Sequence, residues 1–197
     1  MKLRDRKLSQ LKLELTGDEL CSLGPALELD HCHVVSRCRE RMLVVPGLTM
    51  RGGSFEQKVQ LTNFQFSDAH FQGVRFEGKY VGCDFGDWDS VAQASISDCD
   101  FSAAVLDACR FLNCQPETIR FPPWPCFAIF HPHAAASTVA SKNWPDELEV
   151  VLDTYRDALP ACAAIVRDAR KLAREQAMPL DALLDLLKSL PGIHLTD

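Results

Sequence analysis

Large apolar residues recur at every fifth position through the middle of the chain. The series consists of Leu61, Phe66, Phe71, Phe76, Val81, Val91, Ile96, Phe101, Leu106, Phe111 and Phe121. An α-helix repeats its faces about every 3.6 residues and a β-strand about every 2 residues. Neither element alone gives a period of five. The chain must therefore change direction about every five residues, as in a repeat architecture.

A second series of smaller residues lies two positions before the first. It includes Ala69, Val74, Cys99, Ala104, Cys109 and Cys114. The register slips once, where Phe85 stands one position early and is followed by Gly86-Asp-Trp-Asp-Ser90. Because a one-residue slip has to be absorbed locally, we predict a bulge or short loop after Phe85.

Three blocks show the repeat clearly, at residues 69–73 (AHFQG), 99–103 (CDFSA) and 109–113 (CRFLN). They resemble the pentapeptide-repeat family, whose pattern is a small residue, a polar residue, Leu or Phe, and two more polar or small residues. The resemblance covers residues 55–121. It implies a right-handed quadrilateral β-helix with four pentapeptides per coil. On that geometry two columns of stacked side chains are expected, one of Leu61, Val81, Phe101 and Phe121 and one of Phe71, Val91 and Phe111.

The fold class that we expect is mainly a β solenoid, a right-handed quadrilateral β-helix of pentapeptide repeats, with a C-terminal α-helical module. Residues 1–54 are expected to form irregular N-terminal strands that cap the solenoid, because an open end exposes unpaired backbone groups. The β-helix then occupies residues 55–121. Residues 122–143 form a Pro-rich linker, and residues 144–192 form the helical module.

Three helices are expected in the C-terminal module. Helical spacing of apolar residues predicts the first between Leu148 and Leu159, ending before Pro160. The second is predicted from Ile165 to Ala173, and the third from Leu180 to Leu187, where Pro179 precedes the first turn.

Charge and composition limit the possible partners. The net charge is −6, and residues 55–121 hold five Lys or Arg against ten Asp or Glu. A nucleic-acid partner is not expected, since it would require clustered Lys and Arg. No run approaches the about 18 apolar residues of a membrane span, and the first residues lack the apolar core of a signal peptide. We therefore expect a cytoplasmic protein with no membrane partner.

The nine cysteines are expected to be core residues and not ligands or nucleophiles. Cys83, Cys99, Cys109 and Cys114 occupy the small inward position of the repeat, and free cysteine behaves there as a small apolar residue. His31, Cys32, His33 and Cys38 lie close together, but their spacing does not match the paired ligands of a structural zinc site. Whether this cluster binds metal stays open. No nucleophile or phosphate-loop motif is present. We expect no catalytic site and no cofactor.

An acidic segment with an embedded tryptophan is the candidate partner-binding surface. It comprises Asp84, Asp87, Trp88, Asp89, Asp98, Asp100 and Asp107, and no Lys or Arg lies between the first and last of these residues. Tryptophan is favoured as an interface anchor, and charged groups steer partners toward it. The alternative is a solvated acidic face with Trp88 folded back onto the coil.

Two functions follow from the resemblance and the charge. Some pentapeptide-repeat proteins imitate duplex DNA and protect type II topoisomerases such as DNA gyrase. Duplex DNA carries about one charge per 1.7 Å, so three to four coils spanning roughly 15–20 Å would need on the order of ten net negative charges. Residues 55–121 carry only half of that. We therefore expect a bacterial immunity protein that neutralises a cognate toxin with a cationic surface, such as a secreted nuclease, by tight binding. DNA mimicry is the alternative.

Overall fold

A computed structural model of the chain describes residues 1–89 and 95–196. Strands dominate this part of the chain, and most are short because the chain turns a corner after each. The strands are β1 (Lys2–Leu3), β2 (Arg6–Ser9), β3 (Lys12–Leu15), β4 (Cys21–Leu23), β5 (Leu27–Asp30), β6 (His33–Ser36), β7 (Leu43–Val44), β8 (Leu48–Arg51), β9 (Ser54–Thr62), β10 (Gln65–Phe66), β11 (His70–Gln72), β12 (Arg75–Val81), β13 (Asp84–Phe85), β14 (Ile96–Ser97), β15 (Asp100–Asp107), β16 (Cys109–Leu112), β17 (Cys126–Phe130), β18 (Cys162–Asp168) and β19 (Ile193–His194).

Consecutive strands join different sheets and return to the same sheet one turn later. Three sheets are parallel throughout, with the orders β1-β4-β7, β2-β5-β8-β11-β14 and β3-β6-β9-β12-β15. A fourth begins with the parallel strands β10-β13-β16. The molecule is thus a parallel β-solenoid of about four turns, which confirms the expected fold class.

The length of a turn differs from the expected four pentapeptides. Leu8, Leu29, Met50 and Phe71 occupy equivalent positions in successive strands, so the register advances by 21 residues per turn. The next step, from Phe71 to Ile96, takes 25 residues. No strand is present from Gly86 to Asp89 in this longer turn, and Ser90 at the end of the expected bulge lies outside the described residues.

Both expected columns are therefore wrong in part. Phe71 aligns with Met50 and Ile96, and not with Phe111. Val91 lies outside the described residues. Leu61 aligns with Tyr80 in place of Val81. The bridge between Asp100 and Arg120 does place Phe101 in line with Phe121. The five-residue spacing holds along one turn, but the turns differ in length, so residues 20 apart rarely stack.

Stacked aromatic rings fill the solenoid. Phe76 lies against Phe101 with ring centroids 4.4 Å apart and planes 2° apart. Phe85 lies between Phe66 and Phe111, at 4.8 and 5.0 Å. All five side chains are fully buried, and burial of such a side chain contributes about 1.5–3 kcal/mol. These rings form the central part of the core.

The N-terminal segment is part of the solenoid and not the irregular cap that we expected. β2 pairs with β5 along its whole length, and β3 pairs with β6 in the same way. Both pairs continue into the strands of the central repeat. Leu27, Leu29 and Val34 are buried in the same core as the phenylalanines. The sequence pattern is weaker here because the inward residues are mostly Leu and Val, and one turn is 21 residues long.

The proline-rich segment at residues 122–143 is structured, although we expected a linker. It contains β17 and helix α1 (Pro132–Ala140). A second difference lies at Ile165 and Val166, which belong to strand β18 and not to the expected second helix. β18 pairs antiparallel with β16 on one side and β17 on the other, and β19 pairs with β17. The free edge of β16 needs a partner, and this requirement overrides the helical spacing.

The remaining helices agree with the sequence more closely. They are α2 (Glu149–Arg156), α3 (Ala169–Glu175) and α4 (Leu180–Lys188). The first lies within its predicted span, and the last extends one residue beyond it. Single turns of 3₁₀ helix occur at Glu40–Met42, Pro116–Thr118 and Asp146–Leu148. None of the helices in the described chain is long and apolar enough to cross a membrane.

The ring stack gives a test of the core. Phe76→Ala should lower the free energy of unfolding by about 3–5 kcal/mol, because the cavity loses contact with rings of two neighbouring turns. Urea unfolding followed by circular dichroism measures the change. Val105→Ala is the control, since that side chain is 48% exposed and its loss should cost less than about 0.5 kcal/mol. Equal effects of the two variants would contradict the stacked core.

Candidate functional site

Asp84, the first residue of the acidic segment, is buried in an ion pair. Its side chain is 2% exposed and accepts two hydrogen bonds from Arg110, from Nε to Oδ1 at 2.7 Å and from Nη2 to Oδ2 at 2.9 Å. The two residues are register partners on β13 and β16. This two-point geometry is the strong form of an arginine–carboxylate pair. Asp84 therefore supports the wall and is not available to a partner.

Trp88 folds back onto this ion pair. Its indole Nε1 donates to Asp84 Oδ2 at 3.3 Å, and Cζ of Arg110 lies 4.9 Å from the ring centroid. Asn113 Nδ2 holds the loop by donating to the carbonyls of Asp87 and Trp88 at 2.7 and 3.2 Å. The side chain is half-buried, so one part of the indole packs on the wall and another part remains accessible.

Asp107 ties the solenoid to the C-terminal part. Its Oδ2 accepts from Lys171 Nζ on α3 at 2.7 Å, and its Oδ1 accepts from the backbone N–H of Asp168 at 3.3 Å. The hydrogen bond to Asp107 raises the pKa of Lys171. Asp107 is 5% exposed, so it too is a structural residue.

The other aspartates of the segment face solvent to different degrees. Asp89 and Asp98 are exposed, and Asp87 and Asp100 are half-buried. Burial raises the pKa of Asp100, but hydrogen bonds from Ser102 outweigh it and lower the pKa overall. The seven predicted residues thus do not share one exposed acidic face, because Asp84 and Asp107 point into ion pairs with cations beyond the segment.

A groove lies beside Trp88, between the solenoid wall and α2. Its volume is about 480 Å³. Four parts of the chain line it: the solenoid corner, the loop around Trp88, α2 with the residues that follow it, and β18. The lining residues are Asn63, Gly82, Trp88, Ala108, Arg110, Val150, Asp153, Thr154, Asp157, Ala158, Leu159, Cys162, Ile165 and Arg167. Of the seven predicted residues, Trp88 alone belongs to this lining.

The groove exists because the helices cover the outer face of β17 more completely than that of β18. Both β17 and β18 turn alternate residues into the solenoid core. On the outer face of β17, Phe127 and Ile129 are buried in a second cluster formed with the helices. On the outer face of β18, Ile165 and Arg167 remain partly exposed and form part of the groove lining.

One wall of the groove is a corner of the solenoid. At this corner, one residue in each of three successive turns has a left-handed backbone conformation. Asn63, Gly82 and Ala108 have φ angles of 52°, 63° and 52°. A Cβ at Gly82 would contact the side-chain oxygen of Asn63, which would have to move, and the positive φ also favours glycine at this position. The small side chains leave room for the groove.

Two exposed apolar side chains lie at the edge of α2. Leu159 is 56% exposed and Val150 is 37% exposed, and both line the groove. Together with Trp88 and Ile165 they provide an apolar surface around the charged residues. The sequence analysis missed this site, because it requires β18 to be a strand, and Leu159 appeared there only as the end of a helix.

Only some of the charged side chains in the groove form ion pairs within the described chain. Arg110 is bound to Asp84, and Asp153 on α2 accepts from Arg156 at 2.8 Å. Asp157 and Arg167 form no ion pair with any residue of the described chain within 4.0 Å. The groove therefore offers one carboxylate and one guanidinium to an incoming group.

The cysteine thiols are largely shielded from solvent, and their pKa values shift in different directions, since a hydrogen bond with Cys109 lowers the pKa of Cys83. Cys83, Cys99 and Cys109 are buried as expected, whereas Cys114 is half-buried, and all nine cysteines are free. Burial raises the pKa of Cys99 and of Cys114 to about 12. Thiols with such pKa values are poor nucleophiles at neutral pH.

The residues around His31 do not converge on one point. Cys32 and Cys38 are buried, while His31 and His33 point outward and bind Asp30 and Ser54 at 3.1 and 3.0 Å. Over residues 1–89 and 95–196, no three His, Cys, Asp or Glu side chains are placed to hold a metal ion.

Comparison of the chain with models of protein families, with curated proteins and with solved structures gave no significant match.

The ion pair below Trp88 can be tested by removing one partner. Arg110→Leu should lower the free energy of unfolding by about 2–4 kcal/mol, since it removes the cation and two of the donors that satisfy the buried carboxylate of Asp84. Chemical denaturation measures this, and the double variant Asp84→Asn, Arg110→Leu should recover part of the loss. The control is Arg156→Leu, whose exposed ion pair contributes less than about 1 kcal/mol. Equal losses for the two single variants would show that the pair does not support the wall.

The burial of the cysteine thiols leads to a second prediction. At pH 8 the folded protein should react slowly with a chromogenic disulfide reagent, because eight of the nine cysteines are buried and burial raises the pKa of the half-buried Cys114 to about 12, so that little of the reactive thiolate forms there. In urea all nine cysteines should react quickly. A thiol of the folded protein that reacts within seconds near pH 7 would contradict this arrangement.

Proposed function

We propose that this chain acts by binding another protein and not by catalysis, and that the groove beside Trp88 is the binding surface. The observation that carries the proposal is the position of Leu159, Val150 and Trp88 around one cavity of about 480 Å³. Binding pockets have volumes of about 300–1,000 Å³ and combine apolar walls with a few polar groups. The groove has both features.

The energetics favour coverage of this surface. Leu159 is 56% exposed, and an apolar side chain that becomes fully buried gains about 1.5–3 kcal/mol. Trp88 is held in place by Asp84, Arg110 and Asn113, so it loses little conformational freedom when a partner binds. A rigid aromatic side chain at the centre of a groove is typical of an interface anchor.

The charge of the molecule favours a partner with a basic surface. The net charge is −6, and residues 141–197 hold ten Asp or Glu against seven Lys or Arg. Asp153 on α2 and Asp157, which directly follows α2, line the groove. A cationic partner would be attracted over a distance of about 10 Å at moderate salt.

Neutralisation of a bacterial toxin is the form of this function that we favour. A rigid solenoid with an added helical part suits one tight complex with a cognate protein, and the acidic surface suits a cationic nuclease. In this proposal the chain is a cytoplasmic member of the pentapeptide-repeat family. The five-residue period and the parallel solenoid support that membership.

DNA mimicry has less support. A DNA mimic needs its acidic side chains on the outside in a regular row. Asp84 and Asp107 are bound to Arg110 and Lys171, so two of the ten acidic residues of the central block add no free negative charge.

The immunity proposal predicts neutralisation of a neighbouring gene product. Each reading frame beside the gene is expressed from an inducible promoter, with and without this chain. One product should stop growth, and this chain should restore growth and form a complex with that product in size-exclusion chromatography. The proposal is wrong if neither product is toxic or bound by the chain.

A substitution in the groove tests whether the groove is the surface that binds the toxin. Leu159→Asp should abolish rescue and weaken the complex by at least 100-fold, because it places a charge in the apolar part of the groove. Leu20→Asp is the matched control, since Leu20 is 43% exposed on the far N-terminal turn. Rescue that survives Leu159→Asp places the interface elsewhere. Inhibition of DNA gyrase supercoiling by the purified chain would favour the mimic.

A further inference from the structure

Arg167 occupies an unusual place for a charged residue. It lies on β18, a strand with neighbours on both sides, and its side chain lines the groove next to Ile165. Side chains in the middle of a sheet are usually apolar or are paired with another group. Arg167 is only half-exposed, so water solvates the guanidinium incompletely.

No group in the described chain accepts a hydrogen bond from Arg167 Nε, which is buried. A buried donor without an acceptor costs about 1–3 kcal/mol and calls for an explanation. Its guanidinium has no carboxylate within 4.0 Å among the described residues either. Arg167 therefore forms no ion pair within the described chain, and its buried Nε has no acceptor there.

The other two arginines near the groove behave differently. Arg110 donates to both oxygens of Asp84, and Arg156 donates to Glu149 and Asp153. Their donors are already occupied by carboxylates of the chain. The contrast identifies Arg167 as the guanidinium in this groove that lacks such an acceptor within the described residues.

We propose that Arg167 is a carboxylate-binding residue, and that it receives an acidic side chain or the C-terminal carboxylate of the protein partner. The inference rests on the proposed function, since it names the group of the partner that enters the groove. A planar guanidinium binds a carboxylate through two parallel hydrogen bonds. Because Nε is buried in the free protein, the side-chain torsions of Arg167 would have to change to turn the Nε edge toward the groove before the carboxylate could accept from it.

The surroundings favour a carboxylate over a phosphate. Asp157 lines the same groove without an ion-pair partner in the described chain, and its negative charge offsets the positive charge of Arg167. The site therefore has little positive charge left to balance the second charge of a phosphate. Ile165 and Leu159 meanwhile provide apolar contact for the carbon atoms that carry the carboxylate.

Nuclear magnetic resonance of the arginine Hε–Nε groups tests the assignment without the partner. The probe is sodium acetate, compared with sodium chloride at the same ionic strength, and inorganic phosphate is the second anion. Acetate should shift the Arg167 resonance saturably, with millimolar affinity typical of so small a ligand. Arg167→Gln identifies the resonance and removes the response. Arg170, exposed on α3, is the internal control and should respond to acetate no more than to chloride.

Three results would overturn the inference: an Arg167 resonance that responds to acetate no more than to chloride, equal shifts of Arg167 and Arg170, or a stronger response to phosphate than to acetate.

Affinity measurements with the protein partner distinguish this inference from the proposed function. Once the toxin is identified, Arg167→Gln should weaken the complex at least tenfold, and Arg167→Lys should retain part of the affinity that Arg167→Gln loses. The control Arg170→Gln should change the affinity less than twofold. If Leu159→Asp breaks the complex and Arg167→Gln does not, the groove is the interface and the carboxylate assignment is wrong. If neither variant weakens the complex, both proposals fail.

Discussion

The register between successive turns is the constraint on which the structure depends. An apolar side chain inside the solenoid is buried only if the turns above and below bring apolar residues to the same place, as Phe85 shows between Phe66 and Phe111. Parallel pairing fixes that alignment through backbone hydrogen bonds. A change in the length of one turn has to be absorbed either between strands or by an irregularity within a strand. The strands on either side of the 25-residue step from Phe71 to Ile96 keep their parallel pairing, whereas β12 shifts its register against β9 between Gly78 and Tyr80.

The two ends of the solenoid meet the same requirement in different ways. At the C-terminal end, β18 pairs antiparallel with β16, and the ion pairs of Asp84 and Asp107 lie close to that junction. At the N-terminal end, β1, β2 and β3 each have one neighbouring strand within the described chain. Charged residues such as Arg6, Lys7 and Lys12 lie on those edge strands. Charged side chains of this kind discourage pairing with other chains.

The five-residue period was enough to predict a solenoid and many of the residues that face its core, because the corner spacing is local in sequence, but it named Val81 where Tyr80 is the buried residue. It could not predict which residues stack, since stacking depends on the length of a whole turn. The strand β18 was mistaken for a helix, because a short apolar run such as Cys162 to Val166 fits either element until its neighbours are known. The acidic segment was misjudged for a related reason. Arg110 and Lys171, which bind Asp84 and Asp107, lie outside the segment and reach it only through the fold.

The position of the groove follows from these same features. β18 is needed to cover the edge of β16, so its inner face, with Ala164 and Val166, is fixed by the solenoid core. The alternation of a strand then places Ile165 and Arg167 on the outside. The helices bury the outer face of β17 instead, and their own core of leucines does not extend over these two residues. A strand that the fold requires thus leaves an isoleucine and an arginine uncovered beside Trp88. A partner that covers them removes an apolar surface from water and gives a buried donor its acceptor, so the gain in free energy comes from groups that the fold leaves unsatisfied.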